Sequence, residues 1–200
     1  MKPTTRITIA ALALTLGLAY VAPLWHIGLD APQYPEGIGM FIWIDTITGQ
    51  KPNDLHSING LNHYIGMKAI VPDSIPELRV MPWLVAGLIG LGLAAAAAGR
   101  RWFLFAWTAL FGLVAAAGLV DFWYWGYTYG HDLDPTAAIR IPGFSYQPPL
   151  VGSRQLLNFT AHSWPGLGGW ALAIALVMAA LLCVRELRTG PTLGRLREAA

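Results

Sequence analysis

The chain is poor in the residue types on which most soluble functions rest. Its single cysteine, Cys183, excludes an intrachain disulfide and any cysteine-built zinc or iron–sulfur cage. Charged residues make up 12% of the chain, against about a quarter in ordinary soluble domains. A formal net charge of +2 is too small to build a nucleic-acid surface. There is no internal repeat, no glycine-rich phosphate loop, no Cys-x-x-Cys-His haem attachment and no Gly-x-Ser-x-Gly elbow. The long apolar runs contain no histidine to hold a haem between helices, and no mid-run charge of the kind a transport pathway uses. Ser57, Ser74, Ser145, Ser153 and Ser163 have no catalytic motif around them, so the chain reads as a non-enzymatic protein.

What is abundant is hydrocarbon, 55% of the residues. Four apolar runs approach the roughly 20 residues that cross a bilayer core of about 30 Å. They divide the chain into a first membrane helix within 1–24, an outer region over 25–80, a helical hairpin over 81–125, a second outer region over 126–166, a fourth helix over 167–184 and a tail over 185–200. The first run follows a basic start like that of a secretory signal. It lacks small residues at the spacing a signal peptidase prefers, and so reads as an uncleaved helix. The expected fold class is an all-α membrane protein of four transmembrane helices with a small mixed α/β outer cap.

Charge sets the expected orientation. With four spans, Lys2, Arg6, Arg100, Arg101, Arg185, Arg188, Arg195 and Arg197 share one side. The positive-inside rule makes that side cytoplasmic. The expected location is a multi-pass protein of the inner (cytoplasmic) membrane with both termini cytoplasmic, its two outer regions facing the periplasm of a Gram-negative cell.

The outer regions hold the candidate chemistry. The alternation in Met40–Gly49 predicts a strand or hairpin arm. Asn53–Ile70 reads as a helix opened by an Asn53 or Asp54 cap and weakened by Gly60 and Gly66. On such a helix His63 and Met67, four apart, share one face, with His56 near it. His26 lies where the first run ends and His162 just before the fourth begins, both within reach of that segment if the helix ends are adjacent. Imidazole with thioether suits copper, so the candidate metal set is His63, Met67, His56, His26 and His162. The competing reading is that His63 and Met67 pack the helix onto the membrane domain. Leu156–Pro165 reads as a short interfacial helix, and Asp121 as an interfacial acid available to Arg140 or Arg154.

Three strings, Tyr34-Pro-Glu-Gly37, Asp54-Leu-His-Ser-Ile-Asn-Gly-Leu-Asn-His-Tyr-Ile-Gly-Met67 and Pro76-Glu-Leu78, resemble a family of uncharacterised small four-span bacterial membrane proteins. Its members tend to be encoded near periplasmic copper-handling and nitrous oxide reductase maturation genes. The resemblance covers Leu29 to Trp83, with weaker agreement from Pro148 to Pro165. It implies a copper-related accessory role with His63 and Met67 as the positions carried over.

Two functions follow as expectations. The first is a membrane-anchored accessory protein that binds or passes copper at the periplasmic face for maturation of a metalloenzyme. The second is a metal-free assembly subunit that docks a partner through Trp43, Tyr64, Phe144, Tyr146 and Trp164. The expected partners are the lipid bilayer and a periplasmic metalloprotein or membrane complex, and no nucleic acid.

Overall fold

The computed structural model describes residues 1–188. Arg195 and Arg197 therefore lie outside the described residues. Apolar helices and an antiparallel sheet share the chain, so the all-α expectation is corrected. Helix α1 spans Pro3–Thr15, and strands β1 (Trp25–Ala31), β2 (Tyr34–Ile42) and β3 (Ile47–Gly49) follow. Helices α2 (Asp54–Ile65), α3 (Glu77–Ala98) and α4 (Arg101–His131) come next, then β4 (Gly152–Leu156), β5 (Phe159–Pro165) and α5 (Leu167–Arg188).

Among the described residues three helices, α3, α4 and α5, are long and apolar enough to cross a membrane. The sequence predicts four spans, so the first run is also corrected. Its α-helix covers 13 residues, about 20 Å at 1.5 Å each, and tightens at Leu16 into a 3₁₀ segment that ends at Tyr20. Two local features favour that shortening. The Thr15 hydroxyl turns back onto Ala11 O, and Gly17 is a poor helix former. The segment lies along α3: Arg6 donates to Ala96 O and Ala97 O near the helix end, while the Tyr20 hydroxyl donates to Pro82 O near its start.

The helix bundle is closed at one end by polar contacts and at the other by the sheet. Gly99, in the left-handed region at φ +65°, ends α3, and Arg100 leads directly into α4, which produces the tight hairpin. The buried Glu186 carboxylate of α5 accepts from Thr5 at 3.0 Å and from Arg101 at 2.8 Å, tying α1, α4 and α5 together. Between these ends, Gly92 lets α3 approach Ala13 of α1 and Trp107 of α4, whose indole donates to Leu88 O.

The sheet has strand order β3-β2-β1-β5-β4 with every neighbour antiparallel. Of this sheet, sequence alternation predicts only the β2–β3 part. Leu156–Pro165, which reads as a helix in sequence, forms instead the β4–β5 hairpin turned at Leu157, whose φ is +57°. Burial alternates along β5, with Ala161 and Ser163 inward and His162 and Trp164 outward, a period of two that a helix cannot satisfy.

Helix α4 supports this sheet. At 31 residues it is about 46 Å long, some 16 Å beyond a hydrocarbon core of about 30 Å. The expected third span stops near Trp125, but the helix continues to His131. Phe122, Trp125 and Tyr129 on its last turns pack with Ile27, Ile38 and Met40 from the sheet and Ile58 from α2, forming a second core apart from the one between the apolar helices.

The polar lock at Glu186 gives a direct test. Glu186→Ala removes a buried acceptor shared by two donors, and should destabilise the folded protein by about 1–3 kcal/mol. Thermal unfolding in detergent should show this loss, with Glu186→Gln retaining part of the stability. An unchanged melting temperature would show that the lock contributes nothing.

Candidate functional site

The sheet separates His26 and His162, which lie on its strands, from His56, His63 and Met67, which lie on or just after α2. The inner face carries Ile27, Leu29, Met40 and Ala161, and is covered by α2 and the end of α4. The outer face carries His26, Gly28, Asp30, Gly39, Phe41, His162, Trp164 and Ser153.

Helix α2 ends earlier than expected, at Ile65. Gly66 adopts φ +82°, and the Met67 amide turns back to Asn62 O at 2.8 Å. Met67 consequently leaves the helical register and does not share a face with His63. Met67 lines a mostly apolar cavity of about 70 Å³ together with Ile27, Met40, Ile58, Trp125 and Tyr146. His63 is exposed and stands near Asp134, whose carboxyl is held below the usual range chiefly by the Thr136 hydroxyl and amide and to a smaller degree by His63. His56 is exposed near the start of α2. The expected cap role also changes: Asp54 accepts from the Gly39 and Lys51 amides, fastening α2 to β2.

Only His26 and His162 of the predicted set come together. They lie on adjacent strands, on either side of Gly28 on the outer face. A Cβ at Gly28 would stand 3.5 Å from His26 Cε1 and 3.9 Å from His162 Cβ, so the two histidines flank this glycine. Among the described residues no three His, Cys, Asp or Glu side chains converge to hold a metal ion. The chemistry available here is that of two imidazoles and their hydrogen-bonded neighbours.

Those neighbours are not identifiable from the sequence. His26 Nε2 lies 3.0 Å from Gln50 Oε1, and because that oxygen only accepts, Nε2 donates. The pair crosses directly over Gly39, where a Cβ would approach Gln50 Oε1 to 2.4 Å. On the other side His162 Nε2 lies 3.0 Å from Asp30 Oδ2, and His162 Nδ1 lies 2.6 Å from Ser153 Oγ. Asp30 leans over Gly37, which takes φ +65° within β2 where the β1–β2 register shifts. Asp30 and Ser153 are 123 positions apart in sequence (153 − 30) and meet only because β1 and β4 both flank β5. The signal available in the sequence is the alternation Phe159-Thr-Ala-His-Ser-Trp164, which marks a strand and sets which side chains face outward.

The aromatic side chains considered for docking also separate. Trp43 and Trp164 belong to the outer side, Trp43 donating its indole N–H to Thr48 and packing edge-on to Phe41. Tyr64 is exposed on α2, and Phe144 packs against Tyr146. Tyr146 is buried on the inner side with no partner for its hydroxyl among the described residues, and burial pushes the phenol's pKa up. Arg140 reaches Pro135 O, with no ion pair to Asp121 among the described contacts.

Fold and site together define a class: a helix bundle with three helices long and apolar enough to cross a membrane, which presents one open face of an antiparallel sheet among the described residues. No protein-family model matches the chain, and no curated protein matches it.

The packing at Gly39 predicts a local outcome. Gly39→Ala should displace Gln50 and break its bond to His26 while the sheet remains folded. The imidazole ¹⁵N shifts of His26 should move and those of His162 should stay. Unchanged His26 shifts would contradict the predicted displacement.

Proposed function

We propose that the protein is a membrane-anchored assembly subunit whose outer sheet face docks a second membrane protein. The supporting observation is the asymmetry of the sheet: its inner face is sealed by α2 and α4, and its outer face has no covering element among the described residues. The aromatic part of that face, Phe41, Trp43 and Trp164, lies at the end of the sheet where β5 runs into α5, whose Leu167 and Trp170 are also exposed. A partner embedded in the same bilayer reaches both parts at once, and aromatic enrichment is typical of such contacts. The orientation proposed with it rests on charge. Lys2, Arg6, Arg100, Arg101, Arg185 and Arg188 gather at the Glu186 end, which the positive-inside rule assigns to the cytoplasm. The sheet then lies outside the inner membrane.

This reading predicts that the protein, extracted in mild detergent, runs as a complex larger than one chain plus its micelle and holding a second integral membrane polypeptide. Trp43→Glu combined with Trp164→Glu should release the protein as a monomer without changing its melting temperature. A wild-type protein that is already monomeric in native nanodiscs would refute the proposal.

A second reading, copper handling, draws on His26 and His162, which flank Gly28 on the outer face; imidazole accepts either oxidation state of copper, and a His162 ligand would have to leave Ser153 or Asp30. It transfers the predicted site from the α2 side to the outer face. Copper bound per chain, measured after dialysis, should fall in His26→Ala and His162→Ala and persist in His63→Ala and Met67→Ala. Loss confined to the second pair would instead restore the α2 segment as the site, and no copper above background in the wild type would remove this reading.

A further inference from the structure

The hydrogen-bonded series Ser153–His162–Asp30 has the arrangement of a nucleophile, a base and a group that orients the base. We infer that Ser153 is an activated nucleophile that accepts an acyl group from an ester at the outer sheet face. With a neutral imidazole the geometry suits these roles. Ionised Asp30 only accepts, so His162 Nε2 at 3.0 Å carries the proton it donates. A neutral imidazole with its proton on Nε2 has a bare Nδ1, and Ser153 Oγ, 2.6 Å away, is the donor into it. A hydroxyl within hydrogen-bond reach of a base that is itself oriented by a third group is the general signature of nucleophilic catalysis. Which of the two ring nitrogens faces the serine does not alter the proton balance.

The group is accessible on the outer face, where Ser153 is exposed on β4, the last strand of the sheet. Gly28, flanked by His162 and His26, carries no side chain. Ser153 itself is exposed, whereas Ser163, the neighbouring serine on the inner face, is fully buried between Trp25 and Leu150 O.

The step balances on the groups named. Ser153 Oγ bonds to the ester carbonyl carbon as its proton passes to His162 Nδ1, and the alcohol departs with that proton. Water then attacks the acyl-serine, giving its proton to Nδ1, and the acid leaves as Ser153 Oγ recovers it. Asp30 is a positioning residue that holds the tautomer and favours the transient imidazolium. The docking proposal uses the same outer face, so labelling is also measured on the protein carrying Trp43→Glu with Trp164→Glu, in which no docked partner covers Ser153.

The test uses the full-length protein in detergent, metal-free, with a fluorophosphonate probe. Its P–F bond breaks as Ser153 Oγ bonds to phosphorus, fluoride leaves and His162 takes the proton. The expected result is a single adduct, mapped by mass spectrometry to Ser153, forming at least about tenfold faster than any adduct at exposed Ser74. His162→Ala should slow labelling about a hundredfold, as loss of a general base does. Asp30→Asn should slow it as well, with Asp30→Glu restoring part of the rate, a pattern that a purely structural contact would not give. Ser153→Ala should abolish the adduct while the melting temperature stays put. Absence of labelling in both the wild type and the Trp43→Glu, Trp164→Glu protein, labelling that does not prefer Ser153, or a rate indifferent to His162 would each overturn the inference. In that case the three side chains only pin β4, β5 and β1 together.

Discussion

The structure depends on burial of one face of the sheet against the part of α4 that rises past the membrane core. A five-stranded antiparallel sheet has two faces, and one of them must be taken from water to hold the domain together. Here Phe122, Trp125 and Tyr129 provide the surface on which Ile27, Ile38 and Met40 pack. Helix α2 completes the cover, clamped by Asp54 to the Gly39 and Lys51 amides. Because α4 is one continuous helix, the sheet is fixed relative to the membrane-crossing helices without a flexible linker.

That constraint determines what remains for function. Once the inner face is committed to packing, the strand alternation sends His26, Asp30, His162 and Trp164 to the other side together. Met67 is drawn into the apolar interior, where a flexible thioether fills an irregular space well. The predicted copper set is thus parted by the sheet itself, and the chemistry of the outer face rests on imidazoles, a carboxylate and a hydroxyl. At the far end of the bundle, Glu186 shows a buried charge held by partners from two other helices. Such a group fixes the relative placement of α1, α4 and α5, and so the frame on which α4 carries the sheet.

The apolar runs of α3, α4 and α5 are legible in the sequence because length and hydropathy are local properties, and so is the hairpin at Arg100 and Arg101. The strand near Met40 announces itself through alternation and β-branched residues. Other elements are hidden for identifiable reasons. Trp25–Ala31 contains glycine, histidine and aspartate on its outer face, so its inward apolar set is too sparse to stand out. Leu156–Pro165 is obscured by its two leucines and nearby Trp-Pro, which suit an interfacial helix equally well. Helix α2 reads as extending to Ile70 although Gly66 is visible, because only the backward bond of Met67 to Asn62 shows that this glycine ends the helix.

By itself the sequence determined that the chain contains runs apolar and long enough to cross a membrane, that basic residues gather at the ends of those runs, and that its ionisable chemistry sits in two polar regions. Each follows from composition and local periodicity. Tertiary structure decided that the two polar regions form one sheet, through the β1–β5 pairing. It also decided that α1 is too short an α-helix to count among the membrane-crossing ones, and that Asp30, Ser153 and His162 meet. The reason is that strand pairing joins segments more than a hundred residues apart through backbone hydrogen bonds, and these carry almost no signature of their partner in the sequence.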